Sequence, residues 1–230
     1  MKKIITIILG VLFINTAYSQ IDSVLISSVK FKNSKFNNPH AGSGFLLTYK
    51  NKNYAVTAKH VLFFAKTDSM KTVSFGDDLK SWEFISKTSP IKKVLAGKLI
   101  NENMNEPIVM PPKGDWLIFE INSKLPENTV VFEVRKTPLE INETVSFMGY
   151  PYKSKKAIKI RGKFIGLTKD GNLRLDVPRG TYNGCSGGPV FDSAGKIVGI
   201  VSMGYYNNTT TKMVFEPASL QYFKQVINNQ

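Results

Sequence analysis

The stretch NGCSGGPV, residues 183–190, puts a thiol and a hydroxyl side by side. Cys185 and Ser186 are flanked by Gly184 on one side and Gly187–Gly188 on the other. Glycines reach backbone angles that other residues resist. A turn built from them can aim successive N–H groups into one concavity. Such a concavity stabilises the oxyanion that forms when a carbonyl is attacked, and losing one donor typically lowers the rate by about 10²–10³. The donors here would be the amides of Gly184 and Ser186. By residue type alone, either Cys185 or Ser186 could be the nucleophile.

A serine hydroxyl needs an adjacent base. The sequence has two histidines. His40 lies in the turn-rich NNPHAGSG, and His60 ends the apolar run YAVTAKHVL. A rigid strand end is the better platform for a base that must be held to a fraction of an ångström. The base in turn needs a carboxylate to fix its tautomer. Asp68, Asp77, Asp78, Asp115, Asp170 and Asp176 lie between His60 and Ser186. Only Asp115 opens an apolar run, GDWLIFEI, where burial would keep a carboxylate fixed beside a histidine. Without such a constellation His60 reads as a core histidine and Asp115 as a strand-entry residue.

The elements available to position these groups are short strands joined by turns. Ser23 to Phe31 alternates and is β-branched. Gly44 to Tyr49 and Tyr54 to Thr57 read as a hairpin turning through Lys50–Asn53. KTVSFGD, SWEFISK and KKVLAGKLI are further strand candidates, EPIVMPPKG is a loop, and DWLIFEI is a strand buried on both faces. Residues 123–129, SKLPENT, form a connector. The β pattern resumes in VVFEV, ETVSFMGYP, KAIKIRGKFIGL, NLRLDV, GPVFD, GKIVGIVSMG and TKMVFEP. The chain ends in a helix, with Pro217 expected at its start and Leu220, Phe223, Val226 and Ile227 on one face. A dozen or more strands and one terminal helix predict paired β-barrels or a sandwich.

Residues 1–19 read as a signal peptide. Lys2 and Lys3 precede an apolar run to Ile14, followed by the small-x-small pattern Ala17–Tyr18–Ser19. That run is short for a membrane span. The expectation is an exported protein, periplasmic or secreted, with no stable membrane span after cleavage. The single cysteine cannot close a disulfide within the chain, so stability must come from core burial, for which 230 residues at 42% apolar suffice. The formal charge of +14 falls by two, to +12, without Lys2 and Lys3. Its densest run, Tyr152 to Lys163, reads as a solvated hairpin; with no nucleic-acid module or interleaved aromatics, nucleic-acid binding is not expected.

TAKH, GDWLIF, GCSGGPV and GIVSMG, in this order, resemble the chymotrypsin-like (trypsin-type) serine peptidases. GYP at 149–151 and FEPAS before the helix resemble bacterial members. The spacings are 55 residues from His60 to Asp115 and 71 from Asp115 to Ser186. The resemblance implies an all-β fold of two antiparallel six-stranded barrels with a C-terminal helix. In this chain that means an N-terminal lobe over residues 20–123 and a C-terminal lobe over 124–230. It implies His60, Asp115 and Ser186 as catalytic residues, with Cys185 at a variable position. It implies Val201–Gly204 as the strand that pairs with a polypeptide substrate through Ser202 and Gly204, and no metal or organic cofactor. The side-chain pocket would be formed by Gly180, Thr181, Met203 and Gly204.

Departures from the family also carry expectations. Cys185, uncharged, stands where animal members place an aspartate that pairs with a freed N-terminus, so no activation switch of that kind is expected. No appended peptide-binding domain is expected after the helix. Gly180 stands where members specific for basic residues place an aspartate. Thr181 resembles glutamate-specific members, but Val201 replaces their histidine. A preference for small or medium apolar side chains follows. The competing expectation is a non-catalytic binding protein on the same fold.

Overall fold

The computed structural model describes residues 23–230 apart from 111, 113 and 155. The expected signal peptide, 1–19, lies outside the described residues.

The first half forms a seven-stranded sheet. β1 (Leu25–Phe31), β2 (Asn38–Tyr49), β3 (Lys52–Thr57), β5 (Leu79–Ile85), β6 (Lys93–Leu95) and β8 (Leu117–Glu120) run in the order β6-β5-β1-β2-β3-β8. β9 (Phe132–Glu133) joins it by pairing parallel with β2. β4 (Thr72–Val73) and β7 (Asn103–Pro107) pair separately. The β2–β3 hairpin turns tighter than expected. Lys50 and Asn51, at φ +49° and +60°, make the whole turn, and Tyr49 already faces Lys52. Two left-handed residues match the twist of the flanking strands, so a two-residue turn closes the hairpin.

The second half is a closed barrel. β10 (Thr144–Gly149), β11 (Ile158–Leu167), β12 (Leu173–Asp176), β13 (Pro189–Asp192), β14 (Ile197–Asn207) and β15 (Lys212–Ser219) follow the order β10-β11-β12-β15-β14-β13. The fold is thus all-β and chymotrypsin-like, with one barrel closed and its partner an open half-barrel. The passage between them lies at residues 132–134: β9 pairs with β2, and Val134 bridges to Ile197.

Alternation along β2, β3 and β8 explains why their sequences are nearly continuous apolar runs. Leu46, Ala55, Leu117 and Phe119 face the core inside the first sheet, with Phe31, Trp82 and Phe84. Phe45, Leu47, Val56, Trp116 and Ile118 face the other way, against Met148, Tyr150, Phe191 and Ile200 of the barrel. A strand apolar on both faces welds two layers together. The barrel has its own core of Val145, Phe147, Phe164, Leu175, Val190 and Phe215.

α1 (Leu220–Asn228) packs on this shared layer. Phe223 meets Tyr54 and Trp116 at ring centroid distances of 5.7 and 5.4 Å. The helix starts later than expected. Pro217 still belongs to β15, and Ser219 is the cap, its side chain accepting from the Gln221 amide at 3.4 Å. Serine satisfies an amide that the first helical turn leaves unpaired, which proline cannot do. No described helix is long and apolar enough to cross a membrane.

Candidate active site

His60 lies just beyond β3, in a short 3-10 helix, Lys59–Phe63. Asp115 lies two residues before β8, the neighbour of β3, so strand pairing delivers both to the same sheet end. Asp115 holds His60 twice. Its Oδ1 accepts from the His60 amide at 2.7 Å, and its Oδ2 lies 2.6 Å from ring Nδ1. A carboxylate in contact with Nδ1 fixes the tautomer with the proton there and leaves the Nε2 lone pair free. The Ser202 hydroxyl donates to the same Oδ2. Both residues are buried. Asn101 steadies the approach to β8: its Nδ2 donates to the Trp116 carbonyl at 2.7 Å, and its Oδ1 accepts from the Ile118 amide at 3.0 Å. Asn101 carries no motif and was not singled out by sequence.

Ser186 sits in the turn before β13. Gly184 and Gly187 take φ +98° and +84°, where only glycine is unstrained. Within the turn the Cys185 amide donates to Tyr182 O at 2.9 Å, and the Gly187 amide to Val201 O at 2.8 Å. The alternate amides, Gly184 and Ser186, have no acceptor among the described residues. They are the two amides expected to form the hole. The turn is fastened to the first sheet, where the Ser43 amide donates to Ser186 O at 2.7 Å. A methyl group on Gly187 would collide with Ser43 O and Thr57 Oγ1, so this turn abuts the end of the strand that leads to His60. A methyl group on Gly42 would meet Ser186 O at 2.7 Å and the Val61 side chain at 3.1 Å. No hydrogen bond joins Ser186 Oγ to the imidazole among the described residues; such contacts often tighten only when substrate is bound.

The trypsin-like peptidase domain model matches residues 42–200, more than half of the sequence. The chain belongs to the trypsin-like peptidase family. No curated protein matches it in sequence. A crystal structure of the serine endoprotease from Yersinia pestis is similar in fold, with a TM-score of 0.61 and 17% identity over 94% of this chain and 67% of that one.

In this trypsin-like chain the two nucleophile types differ sharply. Cys185 is fully buried, and burial pushes its thiol up to about 12. A thiol in that state carries almost no thiolate, the reactive form. Ser186 instead lines a cavity of about 250 Å³ together with Gly180, Thr181, Ser202 and Gly204. Met203, expected to contribute, is not in that lining; it pairs with Glu216 across β15. Tyr182, Met213 and Phe215 are there instead. Tyr182 comes from the loop before the turn and Met213 and Phe215 from β15, so nothing local in the sequence marks them together.

Burial alone would lower the pKa of His60, but the Asp115 charge and hydrogen bond outweigh it and the net shift is upward. Burial would raise Asp115; the His60 charge and the hydrogen bonds from His60 and Ser202 reverse this and hold it below the usual carboxylate range. An ionised, buried carboxylate against an imidazole of raised basicity is what proton abstraction requires. His40, set aside on sequence, lies in β2 with its ring edge-on to Tyr152 at 4.8 Å, beside the same turn. Its Nε2 is buried without a partner among the described residues.

Proposed function

We propose that the chain is an exported serine endopeptidase acting on polypeptides through an acyl-enzyme. His60 Nε2 takes the Ser186 hydroxyl proton as Oγ attacks the substrate carbonyl. Asp115 holds the imidazole and offsets the charge it gains. The Gly184 and Ser186 amides receive the developing oxyanion. His60 then returns its proton to the leaving amine, and water releases the acyl group by the same steps in reverse roles. The observation that carries this reading is the double grip of Asp115 on His60, next to a turn with two free amides.

The cavity beside Ser186 has no carboxylate and no cationic side chain in its lining. An ionised side chain entering it would lose hydration without gaining a counter-charge. We therefore assign it to uncharged residues of small or medium size on the acyl side of the scissile bond. Ser202 and Gly204, also in that lining, lie on β14, and their main chain suits strand addition by the substrate. Residues 1–19 have the composition of a leader, so the mature protein is expected to begin near residue 20, which mass determination of the exported protein would check.

Unfolded casein tests the reading. Wild type is expected to cleave it and Ser186→Ala to lose at least about 10³-fold in rate, in the range of nucleophile removal. Equal, null activity of the two proteins would leave a binding function on the same fold.

A further inference from the structure

We propose that Ser43 is a positioning residue for the oxyanion hole, an inference that rests on the serine peptidase reading. Ser43 lies in β2, in the opposite half of the molecule from Ser186, and is fully buried. Its hydroxyl donates to Gly184 O at 2.8 Å and accepts from the Tyr150 amide at 2.8 Å. Its own amide donates to Ser186 O at 2.7 Å. Its carbonyl accepts from Thr57 Oγ1 at 2.7 Å, a bond separate from those to the turn's carbonyls. One residue thus engages both carbonyls that bracket Cys185.

The geometry of the peptide unit turns these bonds into an aiming device. In a trans peptide the C=O and N–H point to opposite sides of the chain. The unit from Gly184 to Cys185 is pinned at both ends, by Ser43 Oγ on its carbonyl and by Tyr182 O on its amide. The unit from Ser186 to Gly187 is also pinned at both ends, by the Ser43 amide and by Val201 O. Between and before them, the Asn183 carbonyl accepts from the Tyr152 amide at 3.0 Å, and the Cys185 carbonyl from the Gly188 amide at 2.8 Å. All four carbonyls are therefore bonded inside the protein. The amides of Gly184 and Ser186 are what remains, both left for a ligand.

The hydroxyl of Ser43 reaches this arrangement from two directions. It holds the Gly184 carbonyl directly. Through the Tyr150 amide it also holds the segment whose Tyr152 amide fixes the Asn183 carbonyl. Glycine at 184 has the torsional freedom to let the preceding unit rotate, and rotation would turn a carbonyl rather than an amide toward the oxyanion. Without the Ser43 hydroxyl, that rotation is opposed by fewer bonds.

Ser43→Ala and Thr57→Val separate aiming from bulk stability. Each removes one buried hydroxyl, and Thr57→Val puts only a methyl group in its place. Thr57→Val loses the bond to the Ser43 carbonyl but keeps the Ser43 hydroxyl. For Ser43→Ala, kcat on a peptide substrate is expected to fall about tenfold to 100-fold, less than outright loss of a donor, with KM within about threefold. Affinity for a peptide aldehyde is expected to fall by the same factor, because its carbonyl oxygen enters the hole when Ser186 Oγ adds to the carbon and His60 takes the proton. Thr57→Val is expected to lower the thermal midpoint comparably while leaving kcat within about threefold. If Ser43→Ala does not fold, Ser43→Cys, similar in size and a far weaker hydrogen-bonding group, takes its place. Fluorophosphonate labelling of wild type is read in parallel. A wild type that labels and cleaves, with a Ser43→Ala variant equal to it in kcat and aldehyde affinity, overturns this proposal alone. Equal loss of kcat in Ser43→Ala and Thr57→Val also overturns it. A wild type that neither labels nor cleaves overturns the peptidase reading and this one with it.

Discussion

Asp115 binds His60 through both carboxylate oxygens, one on the main-chain amide at 2.7 Å and one facing ring Nδ1 at 2.6 Å. The first bond sets where the residue stands, and the second sets how its ring is turned and protonated. Loss of the second with the first kept isolates the tautomer. Asp115→Asn keeps an oxygen for the His60 amide and offers Nδ1 an amide group. A drop in kcat of about 10⁴, the scale for an imidazole in the wrong tautomer, is expected with KM little changed. Steady-state kinetics on a peptide substrate measure it.

The pH profile follows from the same pair. His60 acts as a base only when neutral, and its pKa lies above the ordinary 6.5. Activity should therefore be lost as pH falls through a value higher than 6.5, read from kcat/KM. Stability runs the other way. A raised histidine pKa contributes stability that is fully present below 6.5 and lost as pH rises through the folded value. The depressed Asp115 contributes stability present above 3.8 and lost as pH falls through its folded value. The pair is thus most stabilising between those two ordinary values. Thermal midpoints of wild type should decline on the alkaline side of 6.5 more than those of His60→Ala.

Cys185 should be chemically silent in the native state. Its thiol is buried and held near 12, so iodoacetamide at neutral pH is expected to leave both mass and activity unchanged. Labelling should appear only on unfolding, which intact-protein mass spectrometry reports.

Gly187→Ala tests the seam between the two halves. The position sits at φ +84°, and an added methyl would strike Ser43 O, Thr57 Oγ1 and the Ala58 amide. Strain and overpacking together should lower stability by about 2–5 kcal/mol. Activity should fall with it, since the same methyl would push Ser186 away from His60. Urea unfolding followed by tryptophan fluorescence measures the first effect.

Residue type and element position carried much of the site. An aspartate opening an apolar strand and a histidine just past another were legible because adjacent strands bring their ends together. The open first half was not legible. The segments holding β4, β6 and β9 read as strands, but only two or three residues of each pair; β7, polar along NMNEP, carries no strand pattern, and pairing rather than pattern decides closure. Ser43 reads in sequence as one polar residue in a strand; its partners at 150, 184 and 186 are more than a hundred residues away. His40 was set aside as a loop residue because proline and asparagines precede it, yet β2 begins at Asn38. Ser202 is expected to meet substrate through its main chain; that its side chain donates to Asp115 is a contact no local pattern marks.

The most direct measurement is covalent labelling by a fluorophosphonate, followed by peptide mapping. Labelling confined to Ser186, and abolished in both Ser186→Ala and His60→Ala, is expected of a hydroxyl activated by that imidazole. Absence of label on wild type, or label on another serine, would contradict it.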